Sequence, residues 1–517
     1  MKIILGKVRP LSRRPTEAHP QVSIIARMTA DGSKGPVNED GLAQGLNTRH
    51  IRMIAIGGAI GVGLFLGSGK GIAFAGPAVI GVYAITGVFI FIIMRALGEL
   101  LMYRPVNGSF AEYAREFLGP LYGFVTGWGY WVTWTIIGMA ELTAVGIFMK
   151  FWWPDLPQYL TALIALVMIV TLNMAKVGFF GEAEFWFASI KIVTILGLIF
   201  GGLAALLFNI GEAGTQGSFS NLWDHGGIAP HGLLAVLLAF QIVIFSYQGV
   251  EILGMTASEA QDREKVIPKA INSVPWRIGI FYIGTLVVLL SLFPWGQFSE
   301  AESPFVKGFT QIGLPAAASV MNFVVISSAL SSCSAGLYSN GRLLKKLATD
   351  GVAPKRFEKT NKGHVPAIGI IASGAMMLIG VVINAMVPDK AFAYISAVAT
   401  LGALWSWGVI ISCHLVYRRR VARGEVPAAT FRLPFAKPLC WATLCFLLFG
   451  LVLLGFDSSQ RVALFALPIW AAVFVVGYQL LKRRQTTPPT PEDLSFGSQV
   501  DATIEAEIDS IDTTIIR

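Results

Sequence analysis

Charge is scarce in this chain. Only 14% of its 517 residues are Asp, Glu, Lys or Arg, against about 25% in an ordinary soluble domain. Hydrophobic residues make up 54%, and mean hydropathy is +0.63. One core cannot bury that much apolar surface, so the composition excludes a water-soluble globule and makes lipid the solvent. Cysteine is nearly missing. Cys333, Cys413, Cys440 and Cys445 all fall in hydrophobic stretches. They have no paired spacing for a metal or a disulfide framework and read as small packing residues. The six histidines, His19, His50, His225, His231, His364 and His414, are scattered. Without a cluster of His, Asp or metal ligands, no metal, no cofactor and no membrane-bound enzyme is expected. Neither polar tail offers the folded output domain that a sensor needs. No cleavable signal is expected either, because Lys2-Ile3-Ile4-Leu5-Gly6 is far too short an apolar run.

Long apolar runs are what the sequence has. Twelve segments reach the roughly 20 residues that a bilayer crossing needs. They lie near 51–72, 77–102, 119–150, 158–176, 185–209, 231–255, 277–296, 313–340, 366–387, 391–417, 438–457 and 462–481, and are numbered here as helices 1 to 12. Only helices and closed barrels satisfy their backbone inside hydrocarbon. These runs are too long and too uniformly apolar for barrel strands, so an all-α polytopic membrane protein is expected. The formal charge of +9 could suggest nucleic acid, but the positions of the charges argue against it. If the N-terminus is cytoplasmic, the outer face holds only Lys70, Lys150, Lys307, Lys390 and Arg461. Arg52, Arg95 and Lys191 sit at or within helices, and the other basic residues fall in the tails and the even-numbered loops. That bias follows the positive-inside rule. It predicts a multi-pass protein of the cytoplasmic membrane with both termini inside and membrane lipid, not nucleic acid, around it.

Residues 1–45 and 485–517 read as polar, disordered cytoplasmic tails, the second one acidic, flanking one membrane domain over 46–484. Two helices are rich in glycine at their middles: helix 1 (Gly57, Gly58, Gly61, Gly63) and helix 6 (Gly249, Gly254). They are five helices apart. Interrupted helices at matching positions of two halves mark an inverted-repeat transporter, here helices 1–5 and 6–10, with 11 and 12 appended.

Four constellations carry polar chemistry into the apolar zone. Each glycine costs helix stability roughly 1 kcal/mol relative to alanine, so Gly57–Gly63 is a plausible unwound stretch. Unwinding frees backbone N–H and C=O groups that a zwitterion could satisfy; close helix packing through small residues is the other reading. Phosphate-loop and dinucleotide motifs do not fit. Gly67-Ser68-Gly69-Lys70 lacks the following Ser/Thr, and Leu66 stands where a dinucleotide fingerprint needs glycine. Phe245-Ser246-Tyr247-Gln248-Gly249-Val250-Glu251 suits a second break, with Glu251 costly against lipid. Lys191 in helix 5 either snorkels to the surface or is buried and exchanges a proton during transport. Ser327, Ser328, Ser331 and Ser332 in helix 8 can bond Lys191 or their own helix. Glu99 and Glu141 are further intramembrane acids for proton or gate work, with Arg95 one turn from Glu99 as a structural partner.

The string from Arg49 to Phe65 resembles the opening of bacterial amino-acid permeases of the amino acid–polyamine–organocation superfamily. So do Met94–Leu100, Gly108–Phe110, Gly138–Ala144, Phe180–Phe187 and Ala270–Pro275. The resemblance spans about residues 46–484. It implies twelve transmembrane helices in a 5+5 inverted repeat with helices 1 and 6 broken, and proton-coupled uptake. It implies a substrate site at Ala59, Ile60, Gly61, Val62 and Gly63 together with Phe245, Ser246, Tyr247 and Gly249. Phe245 would be the aromatic gate, Glu251 a gating acid, Lys191 the proton-coupling lysine and Ser331 or Ser332 its hydroxyl partner. Many members carry Thr or Ser where this chain has Val62, so the substrate carboxylate is expected on backbone donors alone. Subfamily signals conflict among the threonine/serine, proline, D-serine/D-alanine/glycine and aromatic groups. The pocket sequence shows no obvious acid reserved for a basic side chain, with Glu141 as the one alternative. The expectation is a proton symporter importing a small neutral amino acid, with an amino-acid/amine exchanger as the alternative and the oligomeric state open.

Overall fold

In the computed structural model, residues 61–104, 110–174, 177–252, 263–299, 303–311, 315–361 and 363–486 are described. Among them all regular structure is helical, with no strand. Gly57, Gly58, Ala59, Ile60, Gly254 and nearly all of both tails lie outside the described residues.

Each of the twelve expected segments has a helical counterpart. Among the described residues, nine helical stretches are long and apolar enough to cross a membrane, and Gln158–Asn173 and Gly232–Ser246 are shorter apolar helices. One of the nine, Val62–Tyr103, contains two segments. A continuous helix would hold residues 63 and 83 about 30 Å apart. Both instead reach Ser246: its hydroxyl donates to the Gly63 carbonyl at 2.5 Å and lies 3.0 Å from the Tyr83 hydroxyl. The chain therefore doubles back at the Gly76–Ala78 turn, where Gly76 takes φ +59°, a conformation glycine reaches without strain.

Helix 3, Pro120–Met149, is the hub of the bundle, packing on helices 4, 8, 9, 10 and 12. Helix 12 is the opposite case. Phe465, Ile469, Val473, Val476 and Leu480 are exposed along one face of it, at the three- and four-residue spacing of a helical stripe. An apolar stripe of that length suits lipid and not water. Helix 5 begins at Val177, eight residues before the expected boundary, because the polar run through Gly181, Glu182 and Glu184 reads as a loop. Lys191 consequently sits near the middle of its helix and is fully buried, so it does not snorkel. Helix 7 contains a π-helical turn, Ile278–Gly284, which presents Tyr282 to the helix 6 break; such turns recur at functional sites. Cys333, Cys413 and Cys440 are buried as expected, but Cys445 is exposed.

Arg95 and Glu99 do not pair with each other as expected from their spacing. Glu99 accepts from His414 Nε2 at 2.9 Å, the Leu433 N–H at 2.7 Å and Arg418 at 3.2 Å. Arg95 instead donates to Asn272 and the Arg432 carbonyl and lies 3.8 Å over the Phe431 ring. These tertiary partners outcompete the neighbour on the helix because helix 10 and the following loop close over this end of helix 2. Removing the Glu99 carboxylate would leave His414 and Arg418 without their shared acceptor, at a cost on the order of 3–5 kcal/mol for a buried pair. Glu99→Ala should therefore melt several degrees below wild type in detergent, while Glu425→Ala, at an exposed pair, should not.

Candidate functional site

The two breaks meet. Gly61 is extended (φ −120°, ψ −165°) and precedes a helical turn, Val62–Phe65, which continues through Gly67–Ala75. Helix 6 stops at Ser246, and residues 247–251 form a turn in which Gly249 takes φ +95°. At Gly63 an added Cβ would lie 2.6 Å from the Ser246 Cα, so the helices touch backbone to backbone and only glycine fits. The Ser246 hydroxyl bonds the Gly63 carbonyl across this contact. Tyr247 points away from it. Its hydroxyl donates to the Tyr83 carbonyl at 2.9 Å and its ring stacks on Tyr282, so among the expected site residues it braces the break from behind.

Between the breaks lies a cavity of only about 10 Å³, lined by Gly61, Gly63, Trp134, Glu141, Phe245 and Gln248, among others. A second cavity of about 780 Å³ opens beyond it. Phe245 borders both, with its ring edge-on to Phe392 at 5.8 Å. The larger cavity is lined by Lys70, Lys150, Lys307 and Lys390 and by one acid, Asp389. Asp457 stands 3.5 Å from Lys70.

A buried charged cluster adjoins the small cavity. Both Glu141 carboxylate oxygens accept from the Val62 N–H at 3.4 Å, and the Ser332 hydroxyl bonds the same carboxylate. An added Cβ on Gly61 would sit 2.6 Å from Glu141 Oε1 and 3.2 Å from Ser332 Oγ. Ser331 donates to Glu184 Oε1 at 2.6 Å. Lys191, fully buried, feels both Glu184 and Glu141. The expected hydroxyl partners of Lys191 thus each serve one of its counter-carboxylates. Glu251 stays apart from this group, accepting from Trp407 Nε1 at 3.2 Å, which is an interhelical bond across to helix 10. Two residues of the site were not expected. Glu184 lies seven residues before Lys191, two helical turns away on the same face, a spacing that becomes visible only once helix 5 is extended backwards. Gln248 sits in the polar string of the helix 6 break but is not one of the positions that the resemblance supplies.

A polytopic helical protein with the extended start of helix 1 in backbone contact with the turn that ends helix 6, a small enclosed cavity there and a buried ionisable cluster beside it is built as a membrane carrier. Comparison with known proteins agrees. The amino acid permease family model matches residues 50–487. The chain is 44% identical over 443 residues to the amino-acid permease AapA of Bacillus subtilis, covering 86% of this chain and 96% of that one. It is 43% identical over 450 residues to a D-serine/D-alanine/glycine transporter of Escherichia coli (86% and 96%) and 42% identical over 464 residues to an L-asparagine permease of the same species (88% and 93%). The chain belongs to the amino acid permease family. It is an amino-acid transporter and not an enzyme.

The Gly63 contact makes a direct prediction. Gly63→Ala must push the backbones of helices 1 and 6 apart, and a misplacement of that size at a binding site costs up to about 100-fold. Uptake should fall by at least about tenfold with the protein still in the membrane. Gly81→Ala, where an added Cβ meets nothing within 4 Å, should transport like wild type.

Proposed function

We propose that this transporter is a proton symporter that imports neutral amino acids across the cytoplasmic membrane, with both termini inside. The Lys191–Glu141–Glu184 group carries the reading. One lysine and two carboxylates sum to one negative charge when all are ionised. A single proton neutralises the group, which suits a low-dielectric site that loads and unloads one proton. Glu141 links that proton to the substrate. As a carboxylate it occupies the Val62 N–H, the backbone donor expected to receive the substrate carboxylate. Charge-assisted hydrogen bonds are about twice as strong as neutral ones, so a protonated Glu141 gives up the N–H more readily. Substrate and proton would then favour the same state, as symport requires. The substrate ammonium would lie against freed carbonyls of the breaks, and Phe245 would close over it.

The charge distribution supports a neutral substrate and this orientation. Four lysines around the 780 Å³ cavity disfavour a cationic amino acid. The opposite end, with Arg104, Arg418, Arg419, Arg420 and Arg423, would face the cytoplasm by the positive-inside rule. The 46–484 membrane domain would then have both tails, 1–45 and 485–517, on that side. Relatives named for D-serine, D-alanine, glycine and asparagine transport support small neutral substrates.

Reconstituted protein given a panel of amino acids, with and without an inward proton gradient, tests this. The expected result is uphill accumulation of a neutral amino acid that a protonophore abolishes. Lys191→Ala should reduce it to equilibration. Unchanged uphill uptake by Lys191→Ala would overturn the coupling role, and counterflow indifferent to the gradient would make the protein an exchanger.

A further inference from the structure

The helix 6 break buries a side chain that the transport cycle described above does not use. Gln248 is 9% exposed and lines the small cavity between the breaks. Among the described residues, neither its Oε1 nor its Nε2 has a hydrogen-bond partner. The turn does not need that amide. Backbone bonds hold it, from the Tyr247 N–H to the Ile244 carbonyl, from the Gln248 N–H to the Phe245 carbonyl and from the Ile252 N–H to the Gly249 carbonyl. Gly249 supplies the left-handed corner. An apolar side chain of the same length would fill the space without burying two unsatisfied groups, which cost stability when left unpaired.

Trp134, which also lines this cavity, has an Nε1–H without an acceptor among the described residues, but it can only donate; the remaining polar side chains around Gln248 are engaged. Ser246 is engaged by Gly63 and Tyr83, Glu141 by Val62 and Ser332, and Ser332 by Glu141. Gln248 therefore brings to the cavity an uncommitted acceptor and an uncommitted donor, both uncharged. A cavity of about 10 Å³ holds no more than a water-sized probe, so a side chain enters only when the wall around Phe245 moves. We infer that Gln248 reads the substrate side chain, and that the substrate is an amino acid whose uncharged side chain both donates and accepts a hydrogen bond, a hydroxyl or a primary carboxamide. This rests on the reading of the small cavity as the amino-acid site. An aliphatic, aromatic or ring-closed side chain would seal the amide in unpaired. A carboxylate only accepts hydrogen bonds and would leave the Gln248 Oε1 unpaired, and a cation would first have to pass the four lysines of the larger cavity.

Two isosteric pairs separate side-chain polarity from size: threonine against valine, and asparagine against leucine. With the full-length protein in liposomes, wild type should favour the polar member of at least one pair by about 10- to 100-fold in kcat/KM, the scale on which sites built to hydrogen-bond reject analogues lacking the group. Gln248→Met keeps the length and removes both polar atoms. It should lower uptake of the polar member far more than that of its partner, bringing the ratio toward one. Gln248→Asn, which keeps the amide on a shorter stem, should retain part of the preference. A wild type that transports neutral amino acids without polar preference would overturn this inference and leave the amino-acid site standing. A Gln248→Met ratio equal to wild type, or an equal loss on all four substrates, would also overturn it. If Gln248→Met does not reach the membrane, the wild-type ratios and Gln248→Asn decide the matter. A wild type that carries none of a broad amino-acid panel would instead overturn the assignment of the cavity.

Discussion

Gly63 brings the backbone of helix 1 against the Cα of Ser246 in helix 6, and the centre of the molecule depends on that approach. Any side chain at residue 63 would hold the two breaks apart. With glycine there, the Ser246 hydroxyl spans the contact and Tyr83 joins it from helix 2. Tyr247 and Tyr282 brace it from the other side. Two segments that each leave backbone groups unsatisfied in an apolar setting, an arrangement lipid would not tolerate, are thereby set edge to edge inside protein. The extended backbone at Gly61 and the turn after helix 6 are thus concentrated at one place.

A buried charged cluster adjoins this place. Lys191 could not stay buried without counter-charges, and Glu141 and Glu184 supply them through helix 3 and helix 5. Ser331 and Ser332, adjacent on helix 8, contact one carboxylate each. Glu141 is the member of the cluster that also reaches the helix 1 backbone, because its carboxylate accepts from the Val62 N–H; in the proposed symport this contact would link the proton to the substrate. In that proposal a proton on Glu141 would free the Val62 N–H for the substrate carboxylate, so proton and substrate would cooperate at one backbone hydrogen. Phe245 borders both this point and the lysine-lined cavity, so in the proposed cycle admission and coupling would fall to different side chains.

Much of this is legible in the sequence, for identifiable reasons. Hydrophobic runs of membrane length show themselves whatever the tertiary structure, so all twelve segments can be read. Four glycines within seven residues mark the helix 1 break, and Ser, Tyr, Gln and Gly mark that of helix 6. Side-chain direction is not legible. Tyr247 and Gln248 are neighbours in a turn, and which of them faces the cavity depends on the φ of Gly249 and on the stack with Tyr282. Glu184 is hidden by a boundary error, since a polar run at a helix start looks like a loop until the helix is seen to continue through it. The Arg95–Glu99 pairing fails because local spacing says nothing of His414, Arg418 and Leu433, which lie more than 300 residues away in sequence.

The central claim is that the Glu141 carboxylate and the substrate carboxylate share the Val62 N–H. Equilibrium binding of the transported amino acid to wild type and to Glu141→Gln, across the pH range in which both stay folded, tests it most directly. Wild type should bind more tightly as the pH falls. Glu141→Gln, permanently neutral at that position, should bind with the low-pH affinity of wild type at every pH. A Gln variant that keeps the wild-type pH dependence, or that binds no more tightly than wild type at high pH, would contradict the account.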